Sequence, residues 1–302
     1  MVELIQSDKK TKTTHMKKLH TLILSLYCII CVPTLAHSFV ASTNPSKLEK
    51  ESGTAIAPHK ALYDIRLEKI NSNGRLINIE GEMYFSLATT CTGWITDHHF
   101  TLFYDYNDTP RLKMTSVIST YESYDGKDFQ FLSTRKKNGN IYEEINGHLL
   151  ANKANKDLMT VKYSKPQTTN LSMSPNTLLP IQHTAQLLEA AQQGKKYITL
   201  SLFDGSDDQG PMEVSAFISP ATNSQHHTRS DEDLYKIELA FFQQNSKSEL
   251  AEYEIMLYIH NSGIIPYMLI DYGSFTISQH LRSIEDLPQA SCGIKEQTKR
   301  VH

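Results

Sequence analysis

The chain has 302 residues, with 30 Lys and Arg against 33 Asp and Glu and a formal net charge of −3. With 39% hydrophobic residues, 15 Tyr and 11 Phe, it carries enough apolar surface for one large domain or two ordinary ones, which excludes disorder throughout. No basic excess is available for phosphates, so no nucleic-acid partner is expected.

Met16-Lys17-Lys18 precedes an apolar run from Leu19 to Val32 that is short for a bilayer span, and small residues follow at Thr34, Ala36 and Ser38. A positive start, a short apolar stretch and small residues form a secretory signal. Residues 1–36 are therefore expected to be an export signal, cut before His37 or Phe39, with initiation at Met16. A buried N-terminal helix or a retained anchor is the alternative. Bulky Ile30 before Cys31 does not suit a lipoprotein signal, so no stable membrane anchor is expected. The signal takes Lys9, Lys10, Lys12, Lys17 and Lys18 with it but only Glu3 and Asp8. What remains is more acidic than the whole and is mildly repelled by anionic membrane faces.

Of four Cys, Cys28 and Cys31 leave with the signal, and Cys91 and Cys292 remain in an oxidising compartment. Two thiols there are expected to pair; two free buried thiols or an intermolecular bridge are the alternatives. The closed loop of roughly 200 residues restricts the unfolded chain by up to about 5 kcal/mol on the chain-entropy view.

Residues 37–57 read as a flexible leader. From His59 onward, period-two alternation appears at Met83, Phe85 and Leu87; at Val214, Ala216 and Ile218; at Ile237, Leu239 and Phe241; and at Ile255, Leu257 and Ile259. Such alternation sends successive side chains to opposite sheet faces. Asn73-Gly74, Asp125-Gly126, Asn138-Gly139, Asn146-Gly147 and Asn261-Ser262-Gly263 supply hairpin turns, because Gly accepts a positive φ. Short strands between such turns predict a largely antiparallel meander. A sheet that long curls, so the expected fold is all-β: an incompletely closed β-barrel or β-spiral over residues 58–295, with a frayed tail at 296–302. One segment breaks the pattern. Ile181, Ala185, Leu188 and Ala191 fall at helical spacing after Pro180 and before Gly194, predicting one helix of about three turns that covers the concave side. Ala221–Asp233 reads as an exposed polar loop.

Chemistry-bearing candidates are few. The mature chain contains no G-x-S-x-G, H-E-x-x-H, phosphate loop or dinucleotide fingerprint, so no catalytic residue, cofactor site or metal site is assigned. Asp204-Gly205-Ser206-Asp207-Asp208-Gln209-Gly210 resembles a calcium loop, but its Gly falls one position late and no bidentate Glu follows. It reads as an acidic turn. Adjacent His98-His99 point to opposite faces of a strand and cannot chelate alone, and His226-His227 lie in the polar loop. Glu143-Glu144 reads as a strand end or turn without a partner. Trp94, the only Trp, is expected to pack in the core beside Cys91. The Tyr- and Phe-rich strands further suggest that an open, curled sheet holds an apolar trough fit for an acyl chain or hydrophobic peptide.

His59-Lys60-Ala61-Leu62-Tyr63-Asp64, Cys91-Thr92-Gly93-Trp94, Tyr121-Glu122-Ser123-Tyr124-Asp125-Gly126 with Phe129 and Phe131, Leu179 to Thr184 running into Glu189-Ala190-Ala191, Phe203-Asp204-Gly205-Ser206 and Cys292 occur in order along the chain. Together they resemble the EipB-like cell-envelope integrity family, over about His59 to Cys292. Ile181 departs from the pattern where Thr is expected after Pro. The resemblance implies a periplasmic protein with a spiral-like open β-barrel, similar in outline to lipoprotein-carrier folds, and a disulfide between Cys91 and Cys292. It also implies a role in envelope integrity and stress resistance, with a periplasmic tetratricopeptide-repeat protein as partner. The expected function is a non-enzymatic periplasmic scaffold or binding module; the alternative is a lipid or lipoprotein carrier. An envelope hydrolase would need a nucleophile–base pair or metal site brought together by the fold.

Overall fold

The computed structural model describes residues 56–71, 74–151, 158–221, 226, 228–229, 233–244 and 249–292. The expected signal at 1–36, nearly all of the leader and the tail at 296–302 lie outside the described residues, as does Asn73 of the first predicted turn.

Fourteen strands and one helix form among the described residues: β1 (His59–Ile70), β2 (Leu76–Thr89), β3 (Gly93–Tyr106), β4 (Leu112–Ser123), β5 (Asp128–Lys137), β6 (Asn140–Ala151), β7 (Met159–Lys165), β8 (Thr169–Met173), α1 (Pro180–Gln192), β9 (Tyr197–Leu202), β10 (Met212–Pro220), β11 (Leu234–Gln243), β12 (Tyr253–His260), β13 (Tyr267–Asp271) and β14 (Phe275–Asp286). They make one sheet in the order β8-β7-β6-β5-β4-β3-β2-β1-β14-β13-β12-β11-β10-β9. Two antiparallel meanders thus meet at the centre, where β1 pairs with β14 from His59↔Asp286 to Ile70↔Phe275. The edges are the consecutive strands β8 and β9, and α1 connects them.

The sheet curls without a ladder forming between its edge strands among the described residues; the connection that follows β8 meets β9 instead. Leu178, beyond β8, donates its N–H to Ser201 O (2.8 Å) and accepts the Phe203 N–H (2.9 Å). That lone parallel bridge between Leu178 and Leu202 leaves the barrel incompletely closed. A twisted sheet of this many strands has to roll in this way, since a flat one leaves both faces wet.

Register places the apolar alternation on one face. Ile218, Ile237 and Leu257 are lateral neighbours across β10, β11 and β12, and Ile65, Gly81 and Leu102 continue the same face across β1, β2 and β3. Each half of the sheet is covered differently. Over β10–β12, α1 inserts Leu187, Leu188, Ala190 and Ala191 against Val214, Ala216 and Ile237. Over β5–β7, Phe129, Phe131, Leu149 and Val161 surround Leu179 and Phe203.

The turns at Asn138-Gly139 and Asp125-Gly126 form as predicted, with φ of 50° and 86° in the first and 66° at Gly126. Asn146-Gly147 does not turn. It lies inside β6 beside a register shift, where a Cβ on Gly147 would sit 2.5 Å from the Phe131 ring. Glycine there makes room for an aromatic side chain, a demand that a dipeptide signal does not distinguish from a turn.

Candidate functional site

The N-terminus of α1 is built by a distant strand. Leu179 at the N-cap has no side-chain acceptor to offer, so the first N–H groups of the helix need a partner from elsewhere. Glu122, at the end of β4 and 2% exposed, supplies it. Ile181 N–H donates to Glu122 Oε2 (2.8 Å) and Gln182 N–H to Oε1 (2.9 Å). Burial pushes this carboxyl up to about 7, against the pull of the two N–H bonds. The turn after Glu122 is fixed by Ser123, whose Oγ donates to Asp125 Oδ1 (2.8 Å) and accepts the Asp128 N–H (2.9 Å). Gln182 packs over Gly126, where a Cβ would come within 2.2 Å of its amide. Glycine at Gly126 therefore serves both the turn and the seating of the helix.

Beside this cap lies a cleft of about 330 Å³, lined by Ile56, Trp94, Glu122, Tyr124, Ile181 and Gln289 among others. Trp94 meets Tyr124 edge-on at 5.7 Å, and Tyr124 O–H donates to Thr90 O (2.8 Å). Thr90 Oγ1 accepts the Gly93 N–H (3.0 Å), forming a tight loop that carries Cys91. Cys91 is bonded to Cys292 with Cα atoms 5.5 Å apart. The chain beyond β14 thereby becomes a strap, Leu287–Cys292, whose Gln289 lines the cleft. Deeper on the concave face, Phe85, His98, Phe100, Ile118 and Met268 are only half-buried. A second groove, lined by Ile95, Tyr121, Leu132 and His148 among others, lies on the outer face of β3–β6.

The other candidate residues are dispersed. His98 points into the concave side between Phe85 (4.9 Å) and Phe100 (6.1 Å), while His99 meets Tyr84 on the opposite face (5.7 Å). Desolvation pushes His98 down to about 4. His226 stacks on Tyr267 at 4.3 Å, packed against the sheet although its loop reads as polar; His227 lies outside the described residues. Glu143 pairs with Arg135 and Glu144 with Lys165, so each acid has a cation across the sheet.

Asp204–Gly210 joins β9 to β10. Asp204 Oδ1 accepts the Ser206 N–H (2.9 Å) and Asp207 Oδ1 the Gln209 N–H (2.8 Å). Arg135 donates to Ser206 O (3.0 Å) and Tyr163 to Asp207 O (3.2 Å). The loop is a plug that drives Phe203 into the second core, and burial lifts the Asp207 carboxyl to about 6. Among the described residues, no group of three His, Cys, Asp or Glu side chains is placed to hold a metal. Trp94 is only partly buried: it packs against the larger core and also faces the cleft. Glu122 was legible only as a lone acid before a turn, since its partners lie 59 and 60 residues away.

A curled, unclosed antiparallel sheet with one covering helix and an apolar-walled cleft at the helix start defines an open β-barrel-like protein. Residues 50–288 match the EipB-like family, and the chain belongs to it. It is 24% identical over 246 residues to the cell envelope integrity protein EipB of Brucella abortus (strain 2308), spanning 78% of this chain and 85% of that protein. Its fold is similar to the crystal structure of a beta-barrel-like protein of a domain of unknown function from Brucella abortus. The TM-score is 0.72 at 22% identity, covering 78% of this chain and 100% of that one.

Proposed function

We propose that this protein is a non-enzymatic periplasmic scaffold or binding module that supports cell-envelope integrity and stress resistance. The observation that carries this reading is the cleft at the start of α1. Its walls are apolar and aromatic, and its one acid already spends both carboxylate oxygens on backbone N–H groups. Such a surface grips a partner through burial and amide hydrogen bonds. The family relationship supplies the envelope context, and a periplasmic tetratricopeptide-repeat protein is the partner to test first. Photocross-linkers placed at Tyr124 and Gln289 in exported protein should yield one defined adduct. An adduct pattern identical to that of a linker at Lys137, at the far end of β5, would count against the cleft. Cells lacking the protein should become sensitive to envelope stress such as detergent, and the exported chain should restore resistance.

A second reading, a carrier of lipid or lipoprotein, draws on the half-buried Phe85, Phe100, Ile118 and Met268 of the concave face. Native mass spectrometry of protein taken from the periplasm separates the two. Co-purifying acyl species favour the carrier, and a clean protein mass favours the scaffold.

A further inference from the structure

We propose that Cys91–Cys292 is an exchangeable thiol–disulfide site for a dithiol reductant, and that its opening releases the Leu287–Cys292 strap from the wall of the Trp94 cleft. Both half-cystines are exposed, so a thiolate can approach either sulfur, and access of this kind is what separates exchangeable bridges from inert ones. The sheet does not need the bond to join its early and late portions. The β1–β14 ladder already does so, with Ile65 and Ile277 buried at its centre.

Beyond Asp286 the attachments among the described residues are sparse. Leu287 N–H donates to Pro58 O (2.9 Å) and Ala290 N–H to Thr89 Oγ1 (2.8 Å), while Pro288, Gln289 and Ser291 are exposed. A segment held by two hydrogen bonds and little buried surface opens locally once its covalent tether is gone. Gln289 lines the cleft from the strap side, and Trp94, three residues after Cys91, lines it from the sheet side. Thiol chemistry at the bridge thus acts on access to the cleft, whether its occupant is a protein segment or an acyl chain.

The exchange is balanced. A thiolate of the dithiol attacks one cystine sulfur, forming a mixed disulfide, and the other sulfur leaves as a thiolate that takes up a proton. The second thiol of the reductant then displaces the remaining cysteine. Two electrons have passed to Cys91 and Cys292, and the reductant ends as a disulfide.

Trp94 is the only Trp in the chain, so tryptophan fluorescence comes from the wall of this cleft and from no other Trp. Exported, oxidised protein should be treated with dithiothreitol without denaturant. The expected result is alkylation of both cysteines, steeper acrylamide quenching of Trp94, and loss of amide protection at Leu287 and Ala290, while Ile65 and Ile277 stay protected. The double variant Cys91→Ser/Cys292→Ser should show the same Trp94 quenching and the same loss of amide protection at Leu287 and Ala290 without reductant. A bridge that yields only in denaturant overturns the proposal, as do an unchanged Trp94 signal and a reduction that unprotects β1 and β14 together with the strap. Should the double variant fail to fold, the dithiothreitol experiment on the natural chain still decides the matter.

Discussion

At the scale of single residues, the acid at position 122 does the most unusual work. A carboxylate buried in a strand end is costly unless hydrogen-bonded, and here its partners are the open N–H groups of a helix that lacks its own cap. Replacing Glu122 with Gln is expected to lower stability by about 1–2 kcal/mol, since an amide offers one acceptor oxygen where two N–H groups of the helix start need one each. Its pH signature has a definite sign. The folded-state value, about 7, lies above the ordinary carboxyl value of 4.5, so the group's contribution is full below pH 4.5 and lost as pH rises through 7. Thermal melts at pH 5 and pH 8 should therefore differ less in Glu122→Gln than in the natural protein; an equal difference would refute the assignment. His183 acts in the opposite direction. It is 5% exposed, its Nε2 has no hydrogen-bond partner among the described residues, and burial pushes it down to about 4. The unfolded chain takes up this proton first, so stability is lost as pH falls from 6.5 towards 4. His183→Leu should melt with less acid sensitivity in that window. Gly205 is constrained twice, by φ of +67° and by the Phe131 ring 2.5 Å from a would-be Cβ. Gly205→Ala is expected to cost about 1–3 kcal/mol in urea unfolding.

At the scale of elements, α1 shows how a pattern can be read correctly and still mislead about its face. Pro180 at the start and Gly194 after the end were visible in the sequence. The chain stops there in a left-handed turn, with Gly194 N–H bonded to Ala191 O (3.0 Å) and Lys195 N–H to Ala190 O (2.9 Å), closing the free carbonyls. The spacing of Ile181, Ala185 and Leu188 nominated one buried stripe, yet His183, Leu187 and Ala190 are buried too and Ile181 and Ala185 only partly. The helix is held at its start by β4 and along its length by β9 and β10, so the buried arc is set by surfaces that its own sequence does not encode. Leu188, fully buried, is the anchor. Leu188→Ala should cost about 2–5 kcal/mol, read as a lower urea midpoint with unchanged slope. The Asp204–Gly210 loop makes the converse point. Its acids suggested a calcium site or a plain turn, and its structural consequence comes from the residue before it, Phe203, packed against Phe129 and Phe131 at 6.1 and 5.6 Å.

At the scale of the whole sheet, the order of strands predicts the order of opening. Strands β1 and β14 are flanked on both sides and buried at the centre, whereas β8 and β9 are edges with no ladder between them among the described residues; only the segment after β8, at Leu178, bridges to β9. Hydrogen exchange should be slowest at Ile65 and Ile277 and fastest among the strand amides of β8. If β8 exchanged as slowly as β1, the edges would have to be more firmly closed than this register allows. The bond between Cys91 and Cys292 adds to this frame from outside the ladder: its loop is already closed in the folded state by β1 and β14, so its stabilising effect falls on the unfolded chain.

Local chemistry determined a good deal by itself. Alternation at Met83–Leu87 and Val214–Ile218 specified strands and their faces, the Asn138-Gly139 and Asp125-Gly126 pairs specified where the chain reverses, and Pro180 and Gly194 bounded the helix. These features depend on backbone preference and on the period of side chains along a few residues, which a short window contains. Only the tertiary structure decided that β1 would join β14, that Glu122 would cap a helix 59 residues away, that Gly147 would yield to Phe131 instead of turning, and that Trp94 would line a cleft as well as pack in the core. Each of these depends on surfaces distant in the chain meeting in space, and the free energy of such meetings is shared by many residues and written in none of them singly.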